Sequence, residues 1–171
     1  MSIDPTYPGE AEARPDVPFR PDETRPPPQV PVRIGEVGLE ALEVIQALNT
    51  AIFAEERIIN SFDRDDLMIL LAFVETEPVG FKVGYRENRY AFYSAKGGVL
   101  AGYRRLGIAR HMLYEMMDRV RARGYLRFAY DTFPNKHPGM TILGLREGFR
   151  VMKADYNPTY RDYRLRLEKK L

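Results

Sequence analysis

The chain has 171 residues, 44% of them hydrophobic and 29% charged, with a formal net charge of +2 at pH 7. That length suits one domain burying about two-thirds of its unfolded surface, and so small a charge gives no ground for a nucleic-acid or membrane partner. Cysteine is absent, which excludes disulfides, thiolate metal sites and a cysteine nucleophile; no apolar run is long enough for a signal peptide or a membrane span, so a soluble, cytoplasmic protein is expected.

Residues Met1–Pro31 hold nine of the thirteen prolines, interleaved with acids and arginines, and read as a disordered or extended arm with no core-forming element. A single domain is expected over residues 32–171. Val32, Ile34 and Val37 predict a first strand. Leu42, Ile45, Leu48, Asn49 and Ile52 recur at helical spacing, with Leu39 and Val44 near the same side, and a second short helix is expected at Arg57, Ile58 and Ile59. The unbroken apolar run Leu67–Val74 suits a strand covered on both faces, while Val79–Tyr85 alternates with period two, so the two read as a hairpin turning at Glu75–Pro78. Tyr90–Leu100 predicts a further strand. Its Gly97-Gly98 pair marks a bulge, a close approach by a ligand, or a crowded sheet.

A helix then carries Ile108, Met112, Leu113, Met116 and Val120 on one face, closed by Gly124 as a left-handed cap. Leu126, Phe128 and Tyr130 alternate in a strand. The loop Thr132–Gly139 leads to a short helix at Met140 and Leu143, stopped at Gly148, and Phe149–Tyr156 and the Tyr163, Leu165, Leu167 alternation predict two last strands.

Chemistry concentrates where the glycine-bearing strand runs into its helix, at Gly102-Tyr103-Arg104-Arg105-Leu106-Gly107-Ile108-Ala109. Gly107 lets the backbone bend, the first helical turn offers unpaired N–H groups and a partial positive charge, and Arg104 and Arg105 add full charges, so an anion such as pyrophosphate is the expected guest. A side chain at Gly107 would then stand in the ligand's place. Gly102 and Gly107 have the spacing of a nucleoside-triphosphate loop, but Ile108 and Ala109 stand where such a loop needs Lys and Ser/Thr, and the dinucleotide fingerprint G-x-G-x-x-G is absent.

Arg104-x-x-Gly107-x-Ala109 resembles the acyl-CoA signature Q/R-x-x-G-x-G/A of the GCN5-related N-acetyltransferase (GNAT) superfamily. The order of elements, the loop around Asn135 and the Gly148-Phe149 pair resemble that superfamily too, from Val32 to Leu171. The resemblance implies an α/β (α+β) fold built on a mixed, mostly antiparallel central sheet of about seven strands flanked by helices. It implies acetyl-CoA as co-substrate, no metal, and direct acetyl transfer to a primary amine on a small molecule or peptide; a homodimer is compatible with it. Backbone groups of Gly98, Val99 and Leu100 would bond the pantetheine and the thioester carbonyl. Arg104, Arg105, Leu106, Gly107, Ile108 and Ala109 would take the pyrophosphate, and Asn135 joins the cofactor-binding set.

Two departures stand out. Ala101 replaces a frequent proline, and Gly144 stands where many members carry a tyrosine that protonates the leaving thiolate. Tyr130, His137 and Tyr156, with Tyr160 beside them, are the catalytic candidates in its place; no general base is identified, since Glu75, Glu77 and Glu87 sit in or near turns. Gly144 also opens a second reading, a non-catalytic acyl-CoA-binding or regulatory module. A nucleic-acid-binding reading rests on Arg104, Arg105, Arg110, Arg119, Arg121, Arg123 and Arg127, but Glu115 and Asp118 interrupt that charge and no stacking aromatics interleave.

Overall fold

The computed structural model describes residues 15–21 and 25–171. Residues 1–14 and 22–24, read from the sequence as part of the arm, lie outside them. The elements run β1 (Arg33–Val37), α1 (Leu42–Phe53), β2 (Met68–Val74), β3 (Glu77–Arg86), β4 (Ala91–Val99), α2 (Ile108–Ala122), β5 (Arg127–Thr132), α3 (Pro138–Arg146), β6 (Arg150–Asn157) and β7 (Asp162–Lys170). The seven strands form one sheet in the order β1-β2-β3-β4-β5-β7-β6. Only β4 and β5 run parallel, because α2 crosses over between them, so the sheet is mixed and mostly antiparallel as expected.

The middle of the sheet is buried from both sides while β6 is largely exposed, and β2 shows why its own apolar run is unbroken. Ile69 and Leu71 pack with Phe81 and Val83 of β3 under α1, while Met68 and Leu70 face the opposite layer with Phe92, Phe128 and the α2 residues Leu113, Met116 and Val120. Successive side chains on a strand point to opposite faces, so a strand covered twice needs apolar residues at every position. Each such side chain contributes about 1.5–3 kcal/mol when fully buried.

The expected second helix at Arg57, Ile58 and Ile59 does not form. Ala54 ends α1 in the left-handed region (φ 54°), and the buried Asn49 donates from Nδ2 to the carbonyls of Glu55 (2.7 Å) and Arg57 (3.4 Å). These bonds fold the chain back against α1 as irregular loop and spend carbonyls that a helix would need. Ile58 is buried beside α1 as a loop residue, which accounts for its apolar signal. Leu39 and Val44 are exposed, so they do not share the buried side of α1.

The glycine pair in β4 is not the bulge. Register passes from Val83↔Lys96 to Gly84↔Ser94, which leaves Ala95 as the extra residue, whereas Gly97 and Gly98 pair regularly with Lys82 and Phe81. Crowding requires these glycines: a Cβ on Gly97 would lie 2.9 Å from the Phe81 carbonyl, and one on Gly98 2.9 Å from Ile52 Cγ2.

The arm does contribute to the core, contrary to the expectation from its composition. Phe19 is 5% exposed and sits in the cluster of Met116, Phe128 and Leu167. Its N–H donates to the Lys170 carbonyl (2.8 Å), and its ring stacks on Tyr114 (centroids 6.2 Å apart). The Arg25 guanidinium lies over both rings (4.7 and 4.5 Å) and grips Asp118 through two nitrogens (2.8 and 2.9 Å). Gln29 N–H then reaches the Leu106 carbonyl (2.7 Å). The described part of the arm is thus a strap lying across α2. One aromatic on an extended chain has no period to reveal it.

Candidate active site

The parallel ladder of β4 and β5 covers only four residue pairs and ends at Ser94↔Tyr130, next to the Ala95 bulge. Beyond that point β4 follows β3 as far as Val99 and β5 follows β7 as far as Thr132, so a gap opens between them. Leu100 N–H donates to the Val79 carbonyl (2.8 Å), on the β3 side. Neighbouring residues of a strand present their backbone groups to opposite sides, so Val99 presents its N–H and C=O to the gap. Its carbonyl accepts from Arg104 Nε (3.1 Å). Its amide is the donor that remains for a ligand.

A cavity of about 310 Å³ occupies the gap, lined among others by Lys82, Ser94, Gly98, Met112 and Tyr130, with His137 and Tyr160 also at its wall. At the end of β4 the chain makes a short turn, Ala101–Tyr103, before α2 begins. Arg105 (φ 63°) and Gly107 (φ 83°) both lie in the left-handed region, and Gly107 is the N-cap residue of α2. No side chain caps that terminus and its first turn holds no acid, so its N–H groups stay open to an anion. Arg105 is exposed and makes no hydrogen bond or ion pair among the described residues. These features fit a pyrophosphate as the sequence motif suggests.

Gly107 itself serves a different need. A Cβ there would point at the strap, 3.3 Å from Pro28 Cα, and not into a ligand's place. Its glycine is required by positive φ and by Pro28 together. Asn135 is exposed on the loop before α3 and donates from Nδ2 to Asp162 Oδ1 (2.8 Å), outside the residues lining the cavity.

Of the catalytic candidates, Tyr130 and His137 reach the cavity and Tyr156 does not. Tyr156 is exposed on β6, its ring against Tyr163 (5.5 Å). Tyr160 lines the cavity with its ring against Phe133 (5.0 Å). His137 stands at the N-cap of α3, its ring edge-on to Phe53 (6.1 Å). Tyr130 is buried, and its hydroxyl donates to the Met140 carbonyl (2.8 Å) at the start of α3. Burial holds its phenol well above the ordinary range, so it stays protonated.

Gly144 has a physical explanation in the same place. A Cβ on Gly144 would fall on the Tyr130 hydroxyl oxygen. A tyrosine hydroxyl therefore enters this region from β5, and α3 makes room for it with a glycine.

Lys82 was not singled out from the sequence. It is 6% exposed in β3, and burial draws its ammonium down to about 8 from the ordinary 10.5. The period-two alternation of Val79–Tyr85 identifies a strand but not what covers its second face. The missed signal is Gly80 and Gly84 on either side of Lys82, small residues that mark a face pressed against another layer.

Residues 50–133 match the family model of the acetyltransferase (GNAT) domain. Solved structures with the same fold include an IAA acetyltransferase from Bacillus cereus ATCC 14579, 18% identical over 82% of this chain and 100% of that one, TM-score 0.72. The ribosomal-protein-S18-alanine N-acetyltransferase from Escherichia coli is 14% identical over 81% and 93% of the two chains, TM-score 0.70. Arabidopsis thaliana Naa50, solved with the bisubstrate analogue CoA-Ac-MVNAL, is 19% identical over 82% and 99%, TM-score 0.69. No curated protein sequence matches the chain.

Proposed function

We propose that the chain, whose residues 50–133 match the acetyltransferase (GNAT) domain, moves an acetyl group from acetyl-CoA directly to a primary amine of a small molecule or peptide. The observation that carries this reading is the opening between β4 and β5, with the Val99 amide facing into it and the uncapped N-terminus of α2 at its mouth. Amides of Gly107, Ile108 and Ala109, with Arg105, would hold the pyrophosphate, and the β4 edge would hold the pantetheine.

The acceptor's amine nitrogen attacks the thioester carbonyl carbon; the new C–N bond replaces the C–S bond, and sulfur leaves as thiolate. The Val99 amide is placed to stabilise the negative charge that builds on the carbonyl oxygen during this exchange. Tyr130 is the candidate proton donor to the thiolate, because its hydroxyl is at the cavity wall, held on the Met140 carbonyl until sulfur takes its proton. His137 lines the same cavity and is the candidate to take the proton that the amine loses.

Mass spectrometry of the purified protein with acetyl-CoA and pools of amines, amino acids and peptides tests the proposal. Acetylated product with release of free CoA is expected. Binding of CoA without product in any pool would favour a non-catalytic acyl-CoA-binding module, the reading that Gly144 kept open.

A further inference from the structure

Lys82 is a charge that the fold itself does not use. It lies on β3 between Leu70 of β2 and Gly97 of β4, and its ammonium has no hydrogen bond or ion pair among the described residues. The other lysines at the cavity wall, and Asp131, all have hydrogen-bond partners. Lys96 pairs with Glu55 (2.8 Å), Lys136 donates to the Tyr160 carbonyl (3.1 Å), and Asp131 accepts from the Tyr93 hydroxyl (2.9 Å). Ser94, 5% exposed at the end of the parallel ladder, also lines the cavity, and its hydroxyl likewise has no partner among the described residues.

Burying an unmatched cation is costly, and a methionine of similar length would fill the same space without that cost. A protonated amine and a hydroxyl, neither with a partner among the described residues, face one cavity and offer donors to whatever enters it. The pyrophosphate has its own place at the far end, on α2 and Arg105, so the missing acceptor belongs to the part of a ligand that enters the cavity. With Lys96 and Glu55 paired, Lys82 and Lys136 leave the wall of this cavity of about 310 Å³ one positive charge in excess of Asp131, which matches one carboxylate.

Resting on the acyl-CoA reading of the gap, we propose that Lys82 recognises a carboxylate close to the reacting carbon, so that the substrate class is one bearing that group. The carboxylate belongs either to an acyl chain that ends in one or to an acceptor amine that is also an acid. A carboxylate bound there completes the charge balance of the cavity, and a ligand lacking it leaves the ammonium as unmatched as before. Lys82 is in this sense a specificity residue and takes no part in the bond exchange.

The test has two arms on the unaltered protein. In the first, titration calorimetry compares succinyl-CoA with butyryl-CoA, which match in chain length and differ in the terminal carboxylate. In the second, with acetyl-CoA saturating, turnover of amino acids is compared with that of their decarboxylated amines. A preference of tenfold or more for the carboxylate in one arm is expected, and it identifies the source. The same ratio in Lys82→Met should fall to near one, with circular dichroism verifying that the variant is folded. Equal behaviour of the matched ligands in both arms overturns the proposal, as does a preference that survives in Lys82→Met. Failure of CoA and acetyl-CoA alike to bind would overturn the acyl-CoA reading itself, a different result from binding without discrimination.

Discussion

Tyr130 and Gly144 share one volume, so their substitutions should not be independent. Gly144→Ala places a methyl on the Tyr130 hydroxyl and should cost about 1–3 kcal/mol, as overpacked sites do. In a Tyr130→Phe background the oxygen is gone and the same change should cost much less. Urea unfolding of the four proteins measures the coupling, and strict additivity would refute the contact. Tyr130→Phe should also lower kcat by about 10²-fold with a smaller effect on KM, if its proton goes to the thiolate. Lys82 yields a prediction with a definite sign. Below pH 8 its amine is protonated in the folded and the unfolded chain alike, and the burial penalty is fully present. Between about 8 and 10.5 the unfolded chain holds a proton that the folded one has lost, so stability rises with pH by about 3 kcal/mol in all. Lys82→Met should therefore melt higher than the parent at pH 7, and that advantage should shrink as pH rises towards 10. Thermal melts across this range check it; an advantage that stays constant would mean the amine is not desolvated. Arg105→Ala should weaken CoA binding by about 1.5–3 kcal/mol, less so at high salt, because a charge-assisted contact to phosphate is lost. Calorimetry at low and high ionic strength reads both effects.

Loss of the strap across α2 should be felt in stability. Phe19→Ala removes a buried aromatic from the main core and should cost about 3–5 kcal/mol, measurable by chemical denaturation. A cost near zero would show that the strap lies loosely on the helix. This segment was illegible because sequence patterns reveal elements by period, and an extended proline-rich chain has none. β2, the buried face of α2 and the Gly124 cap were legible for the opposite reason, since each meets a repeating or stereochemical demand that few residues satisfy. The loop at Arg57–Ile59 misled because Ile58 is buried without being helical, held there by Asn49. At the candidate site, the turn from Val99 to Ala109 could be read because a helix N-terminus with glycine and arginine has a local signature. Lys82, Ser94 and the relation of Tyr130 to Gly144 could not be read, since each depends on which strands become neighbours.

For the whole molecule, the absence of cysteine removes the nucleophile best suited to a stable acyl-enzyme, and under the proposed reaction the gap between β4 and β5 would be the one place for donor and acceptor to meet. Intact-mass spectra after incubation with acetyl-CoA alone should show no stoichiometric adduct that an added amine then discharges. A kinetically competent adduct would replace direct transfer with a two-step route. The sheet itself is two panels, β1–β4 and β5–β7, joined along four residue pairs with the candidate site at the open end of that seam. The strap is fastened to both: at Phe19 it is bonded to β7, and at Gln29 to the loop that leaves β4, with Arg25 pinned to α2 between them. Both fastenings lie outside the gap. A segment that lines no part of the cavity thus ties its two walls together, so loosening it should let a ligand held in the gap leave sooner.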